Sequence, residues 1–352
     1  MSNKSLQEIQ ALINIYQKAK QGLIRTIAEK EARGNVTWYK RSLLDQVERQ
    51  LKHLSEQSEK WIKETLPFVY QESINNVNSI LMKSGFKVDI NKASFAKLHT
   101  KAIDSLILDT LDDLSEANKY AGDQIKHIVN DAVAQKLAQG QTVKECKKAI
   151  ISELMEKGID GVESKNGRMM SLDAYASTVA RSRTREATNT AMINQLTALG
   201  RDLVKVSSHN SSCPICAAYE GRVFSISGKD TRYPPLSVAF SGIYANIHPN
   251  CSHVLLPYIE ELADDPEADR INSNLPFSID PRSRKEVDIY NEVRKKKQRL
   301  REDRRQWERY TLAFPDDTPK TFQTFCSMKR SNNSKWQKLQ QQYKDYIKDS
   351  DS

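Results

Sequence analysis

Three of the five cysteines and three of the six histidines lie between residues 209 and 257. The segment Cys213-Pro-Ile-Cys216 is followed, after a loop, by His248-Pro-Asn-Cys251-Ser-His253. Thiolate and imidazole are the ligands that zinc prefers, and two short-spaced pairs can close a tetrahedron around one ion. The spacing therefore predicts a zinc site built from two turns of the chain.

The predicted ligands are Cys213, Cys216, His248 and Cys251. His253 is the substitute for the fourth position, because it lies two residues beyond Cys251 and would share a strand face with it. His209 is a weaker candidate. Four protein ligands would leave no open position for water, so the zinc would be structural. The alternative is that no metal binds and the same side chains pack and hydrogen-bond in a tight β-hairpin.

The same residues fit catalytic sites less well. A zinc deaminase needs His-x-Glu upstream of Pro-Cys-x-x-Cys, whereas here the proline lies inside the pair and no His-x-Glu occurs. A cysteine nucleophile paired with His248 or His253 is conceivable, but the additional cysteines favour ligation. The sequence also lacks a Walker A motif, a dinucleotide glycine fingerprint, His-Glu-x-x-His and Gly-x-Ser-x-Gly. We therefore expect a protein that is not an enzyme.

The composition indicates long helices around this segment. Only 12 glycines and 11 prolines occur in 352 residues, which argues against a sandwich or barrel with many tight turns. The hydrophobic fraction of 38% and the mean hydropathy of -0.65 are low for one compact globule. A net charge of +9 suits an acidic partner, either nucleic acid or an acidic protein surface.

Membrane and secretory signals are not evident. The first twenty residues lack the basic start and apolar core of a signal peptide, and no window approaches the roughly 18 apolar residues of a membrane span. We expect a chain that stays in the cytosol and does not contact a membrane. An odd number of cysteines clustered beside histidines favours a metal site over a disulfide framework, which leaves Cys146 and Cys326 as bystanders.

Helical periodicity covers the first half of the chain. Apolar residues recur every three or four positions over 6–27 and again over 36–54, which predicts two helices forming a hairpin. We expect the second helix to stop near Pro67, since proline disfavours helical geometry in the preceding residue. A third helix is predicted over 68–83, and an edge strand or extended connection over 86–90.

Further helices are predicted over 94–111 and 123–140. Thr142 and Glu145 have the spacing of a capping box, which predicts a helix start at that point and an end by Gly158. Residues 158–171 are predicted as a connection, because glycine and polar residues are concentrated there.

A long helix is predicted over 172–199, and it carries Arg181, Arg183 and Arg185. Arg181 and Arg185 are four residues apart and share a face. That face is either solvated and partly neutralised by Glu186, or buried or directed at a partner. Short strands are predicted over the three segments 202–208, 222–226 and 254–256.

The carboxyl-terminal region is basic. From Arg282 to Arg309 there are 12 basic and 6 acidic residues on a predicted helix. The predicted nucleic-acid-binding residues are Arg294, Lys295, Lys296, Lys297, Arg299, Arg301, Arg304 and Arg305. They could neutralise DNA phosphates in a salt-sensitive way, or the helix could be solvated and held by ion pairs between residues four apart. A final helix is predicted over 322–347.

Several of these features resemble a known family. They are the helix ended by Gly200, the strand before His209, Cys213-Pro-Ile-Cys216, Glu220-Gly221 with Phe224, and above all His248-Pro-Asn-Cys251-Ser-His253 before Pro257-Tyr258. Over about residues 172–258 the chain resembles minor capsid proteins of tailed bacteriophages, of the type-2 group related to Mu-like head morphogenesis proteins. Ser252 stands where that family usually has arginine.

The resemblance implies a structural virion protein, added in few copies during head assembly. Its expected partners are the portal protein, the major capsid protein and packaged double-stranded DNA, and its expected place is the capsid interior or the portal vertex. The alternatives from other classes are a metal-dependent nuclease or toxin-like enzyme using the Cys/His cluster, and a nucleic-acid-binding protein that depends on its basic tail.

The predicted fold is mainly α, elongated, with a small α+β module that carries a Cys/His-rich hairpin. The predicted regions are a helical amino-terminal part (1–160), a long helix with the Cys/His module (161–260), a linker (261–283) and a basic helical carboxyl-terminal part (284–352).

Overall fold

Long helices form wherever the apolar residues recur at helical spacing. The computed structural model describes residues 2–88, 93–140, 142–157, 161–163, 169–209, 212–240 and 246–350. The helices are α1 (Asn3–Glu29), α2 (Val36–Lys83), α3 (Ala93–Ala138), α4 (Val143–Lys157), α5 (Leu172–Ala198), α6 (Pro214–Ala217), α7 (Pro266–Ser273), α8 (Arg284–Ala313), α9 (Phe322–Ser331) and α10 (Ser334–Ser350). The strands are β1 (Gly161–Glu163), β2 (Met169–Ser171), β3 (Leu203–Val206), β4 (Val223–Ser225) and β5 (Leu255–Pro257). The predicted class, mainly α with a small α+β module, is confirmed.

The chain divides into two compact units. One unit contains residues 1–13, 58–113 and 177–294, and the other contains residues 14–57, 114–176 and 295–352. In the second unit, α1 to α4 share a core of buried aliphatic side chains, with Tyr39 fully buried among them. A separate aromatic cluster in the same unit is centred on Trp307, Phe325 and Trp336 of α8, α9 and α10.

The first unit contains the small sheet. β3 is its central strand and pairs antiparallel with β4 on one side and β5 on the other. Val204 and Val206 are the buried members of an alternating strand, so one face of β3 enters the core. Val77 of α2 and Met192 of α5 belong to the same core. The sheet therefore has a hydrophobic support on which the loops after β3 and before β5 are held.

The helix predicted over 172–199 is present as α5. Gly200 follows with φ of 72°, a left-handed conformation that glycine adopts without steric cost and that commonly ends helices. Arg201 then donates its backbone N-H to the carbonyl of Leu196. The chain turns directly into β3, as the alternating pattern of residues 202–208 predicts.

The predicted stop at Pro67 is wrong, because α2 continues from Val36 to Lys83 with Pro67 inside it. A proline within a helix costs about 3 kcal/mol. On either side of it, Leu66 and Tyr70 are completely buried, and a fully buried large apolar side chain contributes roughly 1.5–3 kcal/mol. Burial on both sides of the proline outweighs the lost hydrogen bond, so the helix does not break.

Other boundaries also differ from the prediction. The two helices predicted over 94–111 and 123–140 are one helix, α3, and the final predicted helix is divided into α9 and α10 at Asn332, whose φ is 45°. Residues 158–171 were predicted as a connection, but β1 and β2 pair antiparallel within them. In 86–90, Phe86 and Val88 are not in a strand, and Ile90 lies outside the described residues.

Two further predictions have a clear outcome. Thr142 and Glu145 form the predicted capping box: the Thr142 backbone N-H donates to Glu145 Oε2 at 2.7 Å, and the Glu145 N-H donates to Thr142 Oγ1 at 3.4 Å. Within the described part of the chain, no helix combines the length and apolar character that crossing a bilayer requires.

Candidate metal centre

The first half of the centre is a single turn of helix. Cys213 is the N-cap of α6 and Pro214 occupies its first position, where a missing backbone N-H does no harm. The Cys213 sulfur accepts the backbone N-H of Cys216 at 3.4 Å. This turn places both sulfur atoms on the same side, with Cys216 only 2% exposed.

The second half is a tight turn at residues 248–251. The Cys251 N-H donates to the His248 carbonyl at 3.0 Å, and Asn250 has a φ of 63°. Asparagine tolerates this left-handed conformation better than most residues. The turn directs Cys251 and His253 inward, where they are 3% and 2% exposed.

Helix α5 holds this second turn in place. The Asn250 N-H donates to Ser182 Oγ at 3.2 Å, and the Leu255 N-H donates to Asn189 Oδ1 at 3.0 Å. Asn250 Nδ2 also donates to Thr178 Oγ1 at 3.0 Å. Sequence reasoning missed these three anchors on α5. Their spacing of four and seven residues, which places them on one helix face, is the signal that could have identified them.

The candidate ligand atoms lie close together. Among the described residues, two triplets have all ligand atoms within 4.8 Å of one another, and they share Cys216. The first triplet is Cys213, Cys216 and His248, and the second is Cys216, Cys251 and His253. The structure therefore places all five sequence-predicted metal residues in one cluster.

Three of the separations are close to the edges of a zinc tetrahedron. The Cys216 and Cys251 sulfurs are 3.6 Å apart, and His248 Nε2 lies 3.2 Å from the Cys213 sulfur and 2.9 Å from the Cys216 sulfur. Bond lengths of about 2.3 Å to sulfur and 2.0 Å to nitrogen imply tetrahedral edges of about 3.8 and 3.5 Å. Cys251 does not belong to the triplet of Cys213, Cys216 and His248, so the two turns would have to move closer together for all four side chains to hold one zinc ion.

Each histidine ring is held by a hydrogen bond from the nitrogen that faces away from the sulfurs. His248 donates Nδ1-H to the carbonyl of Pro249 at 2.7 Å, which leaves Nε2 facing the sulfurs. His253 donates Nε2-H to Glu220 at 2.6 Å, which leaves Nδ1 3.4 Å from the Cys251 sulfur. Metal-binding histidines typically donate their second nitrogen in this way, which fixes the tautomer and the ring angle.

Glu220 is another residue of the centre that the sequence prediction did not include. Besides His253, it accepts the backbone N-H of His209 at 2.6 Å and the hydroxyl of Ser212. These bonds outweigh the effect of burial and keep its pKa below the ordinary value. An ionised carboxylate thus supports the inner histidine and holds His209 and Ser212 to the same side chain.

The cluster favours thiolate in the absence of metal. The hydrogen bond from Cys216 lowers the pKa of Cys213 to about 3, and a second bond from Cys216 lowers the pKa of Cys251 to about 4. Cys216 has a single S-H proton that lies between these two sulfurs, and its interactions with both of them, together with burial, raise its own pKa. Two thiolates around a shared proton form a site where a divalent cation can replace that proton.

The pKa of His253 is raised, in contrast to the lowered pKa values of Cys213 and Cys251. Burial lowers its pKa, but the hydrogen bonds to Cys251 and Glu220 outweigh burial and raise the pKa to about 9. Cys251, His253 and Glu220 thus also have the order of a nucleophile, base and carboxylate. Cys251 and His253 are almost completely buried, however, which restricts access by a substrate and favours metal ligation.

The remaining candidates lie outside the ligand set. His209 packs edge-on against His253 with ring centroids 4.6 Å apart, but its Nε2 is 3.2 Å from the carbonyl of Ser252. Cys146 is buried in the helical core of the second unit, and Cys326 lies in α9. All five cysteines are free, and these two do not contribute to the cluster.

The predicted basic residues lie along α8. Seven of the eight are exposed, and none of these seven is ion-paired within the described part of the chain. The exposed seven are Arg294, Lys295, Lys296, Lys297, Arg299, Arg301 and Arg305. Arg304 is half-buried, and its guanidinium lies 4.4 Å from the ring centroid of Phe322. These seven side chains are solvated, and the ion pairs between residues four apart that the alternative expected are not observed for them within the described part of the chain.

Together these features define a mainly helical protein with a small three-stranded module that carries a partly buried Cys/His cluster. A family model described as phage minor capsid protein 2 matches residues 2–348. The chain therefore belongs to the phage minor capsid protein 2 family, and it is a structural protein of a bacteriophage capsid. Searches of curated proteins and of solved structures found no match.

Proposed function

We propose that this minor capsid protein is a non-catalytic component of a tailed-phage head, bound at the portal vertex or the inner face of the shell. The family match over nearly the whole chain is the observation that carries the proposal. The exposed basic helix α8 supports a place facing packaged DNA rather than the exterior. The burial of Cys216, Cys251 and His253 supports a structural rather than a catalytic module.

The proposed metal is zinc, held by Cys213, Cys216, His248 and Cys251. His248 is the fourth ligand in this proposal because its Nε2 lies 3.2 and 2.9 Å from two sulfurs, whereas the shortest distance from His253 to a sulfur is 3.4 Å, from Nδ1 to Cys251. His253 would then donate a hydrogen bond to the Cys251 thiolate from outside the ligand set. Bound zinc would supply a cross-link between the α6 turn and the 248–251 turn.

The first expected result concerns location. In heads assembled from the portal, the major capsid protein and this chain of the same phage, we expect the chain to co-purify and to resist added trypsin. The 54 lysines and arginines supply many cleavage sites, so resistance would come from the enclosing shell. The measurement is quantitative immunoblotting of intact and disrupted heads after protease treatment.

The free chain, treated in parallel, is the control and should be degraded. Heads assembled without the portal protein separate the two proposed positions: loss of the chain indicates the portal, and retention indicates the inner face. Absence from purified heads, or equal degradation on intact and disrupted heads, would contradict an internal position. Metal-dependent DNA cleavage by the purified chain would contradict the non-catalytic proposal.

We also propose that α8 contacts DNA phosphates. Residues 294–301 contain six basic and no acidic side chains, with Leu300 55% exposed among them. Exposed, unpaired cations along one helix can displace counterions from DNA without reading its sequence. Such contacts would suit a protein that meets packaged DNA of any sequence.

The expected result is a change in salt dependence. Changing Lys295, Lys296 and Lys297 to glutamine should reduce the slope of log affinity against log salt by up to about 3, since each lost phosphate contact removes about 0.9. The measurement is fluorescence anisotropy with a labelled DNA duplex across a salt series. The control changes Lys335, Lys338 and Lys344, which are exposed on α10, to glutamine. Equal slopes for the two triple variants would assign the binding to net charge and not to α8.

A further inference from the structure

The segment that leads into α8 contains one shielded side chain. From Ser278 to Lys285 every residue is exposed except Arg282. The side chain of Arg282 is only 8% exposed, although it lies in a stretch that the sequence predicts as a linker. Removing a charged group from water is costly unless other polar groups replace the solvent. The contacts that shield Arg282 therefore identify what this segment is held against.

Three groups surround the guanidinium of Arg282. Its Nε-H and Nη2-H donate to the two carboxylate oxygens of Asp280 at 2.9 and 2.7 Å. Its Nη1-H donates to the backbone carbonyl of Ser212 at 3.0 Å. The guanidinium also lies 5.4 Å from the ring centroid of Tyr290, in the second turn of α8. We call these four residues the Arg282 clasp, which uses the planar fork that only arginine supplies.

One end of the clasp lies at the candidate metal centre. Ser212 directly precedes Cys213, which is the N-cap of α6 and a proposed zinc ligand. Ser212 is 6% exposed, and its hydroxyl donates to Glu220, the carboxylate that also holds His253. The carbonyl that Arg282 contacts is therefore part of the backbone that leads into the first turn of the centre.

The other end of the clasp lies at the start of α8. Arg282 directly precedes Ser283, which forms a capping box with Glu286. The Ser283 N-H donates to Glu286 Oε2 at 2.8 Å, and the Glu286 N-H donates to Ser283 Oγ at 3.3 Å. Within α8, all of which the structure describes, no side chain before Trp307 is buried.

The first half of α8 thus has little packing of its own. Helices in proteins take most of their stability from packing, since helix propensity alone is marginal in water. The basic stretch 294–301 lies within this half of the helix. Its order therefore depends on how firmly the first turn of α8 is held.

We propose that the Arg282 clasp makes DNA binding by α8 dependent on the metal centre. This inference rests on the zinc site and the DNA contact proposed above. Zinc binds when both turns of the centre are in place, so excess zinc suppresses openings that displace Ser212 and Cys213. Ser212 holds Arg282, and Arg282 holds the first turn of α8. A helix that is ordered before it meets DNA loses less conformational entropy on binding, so zinc raises the affinity.

Hydrogen exchange of the full-length chain, followed by mass spectrometry, tests the clasp. We expect zinc held about a hundredfold above its Kd to slow exchange over residues 287–293 by up to about a hundredfold. Arg282→Met should still bind zinc but lose this protection. The control is Arg284→Met: Arg284 is exposed two residues further on, so the variant removes the same charge, leaves the clasp intact and should keep the protection.

Fluorescence anisotropy with a labelled DNA duplex adds a functional measurement. Zinc should raise the DNA affinity of the unmodified chain and of Arg284→Met by about fivefold or more, the lower end of typical coupling between two sites. The gain should be absent in Arg282→Met. Because both variants lose one positive charge and zinc adds the same charge to each, the difference between them isolates the clasp. An equal gain in all three proteins would assign it to the charge of the ion and overturn the inference.

Arg282→Lys separates the fork from the charge and also serves if Arg282→Met does not fold. Lysine keeps the positive charge but cannot form the two parallel bonds to Asp280 and the bond to Ser212 at once. Arg282→Lys should therefore lose most of the zinc-dependent protection of α8. Full protection in this variant would show that the charge alone is sufficient, which would contradict a clasp.

The remaining outcomes distinguish this inference from the proposed function. If the unmodified chain binds no zinc, the zinc proposal and the coupling are overturned together. If it binds zinc and exchange over 287–293 is unchanged, or if Arg282→Met is protected equally, only the coupling is overturned. If zinc protects α8 but the unmodified chain does not bind DNA, the proposed DNA contact is refuted and the coupling to DNA with it.

Discussion

Replacing Cys216 with serine is expected to abolish zinc binding by the full-length chain. Cys216 belongs to both ligand triplets, and its sulfur lies 2.9 Å from His248 Nε2 and 3.6 Å from the Cys251 sulfur. A serine hydroxyl replaces the thiolate poorly as a zinc ligand, so the content should fall from about one to below about 0.1 ion per chain. The measurement is elemental analysis after exhaustive dialysis.

The same substitution should remove the stabilisation that the ion provides. With free zinc held about a thousandfold above Kd, binding adds about 4 kcal/mol to the free energy of unfolding. Urea unfolding with and without a chelator should therefore differ for the unmodified chain and coincide for Cys216→Ser. Cys326→Ser is the control, since Cys326 lies in α9 outside the cluster. Less than about 0.1 ion per chain in the unmodified protein would refute the zinc proposal.

Replacing Arg183 with methionine is expected to be the most destabilising single change in α5. Arg183 is 3% exposed and donates Nε-H and Nη2-H to Asp113 Oδ2 at 3.0 and 2.7 Å. Its Nη1-H donates to Glu186 Oε2 at 2.9 Å. The variant would leave two buried acids without their cation, which costs about 3–5 kcal/mol. The free energy of unfolding from urea titration measures the loss.

The loss should depend on pH in a defined direction. Burial raises the pKa of Glu186 to about 7, although Arg183 opposes this effect. Without Arg183 the pKa would rise further. A carboxyl whose pKa is higher in the folded than in the unfolded state contributes stability at low pH and loses it as the pH rises through the folded pKa. The deficit of Arg183→Met should therefore be smaller at about pH 5.5 than at about pH 8.5.

Arg181→Met is the control for the loss of stability in Arg183→Met. Because Arg181 is exposed, its removal should change stability by no more than about 0.5 kcal/mol at either pH. A deficit for Arg183→Met that is the same at both pH values would mean that Glu186 does not take up a proton. A deficit below about 1 kcal/mol would show that the ion-pair network is not required for folding.

Much of the helical fold was predictable because its causes are local. The capping box of Thr142 and Glu145 and the glycine at position 200 act through neighbouring backbone groups, and both predictions were confirmed. The predicted stop at Pro67 was wrong because the rule considers only neighbouring residues, whereas burial against distant segments stabilises the helix. The burial of Leu66 and Tyr70 depends on the packing of distant segments, and no window around the proline reveals it.

The candidate site likewise has some residues that the sequence predicts and others that it does not. The two short-spaced motifs identify the residues of the cluster, since their spacing decides which sulfurs and nitrogens can meet within one turn. Glu220, Ser182 and Asn189 carry no such signature. Their roles arise from the placement of α5 beside the second turn and from the folding of residue 220 back onto His253. Long-range contacts of this kind are decided by packing, so the supporting residues could not be inferred from spacing alone.

The sequence by itself determined the helical class, the family and the residues able to ligate a metal. Periodicity, caps and motif spacing depend only on residues that are close together in the chain. Only the tertiary structure decided which arginine of α5 is neutralised, since the three stand two residues apart and differ in their surroundings. Arg183 meets Asp113 and Glu186, whereas Arg181 is exposed and Arg185 is half-buried without a carboxylate partner among the described residues. The physical reason is that the cost of burying a charge depends on what the fold brings next to it.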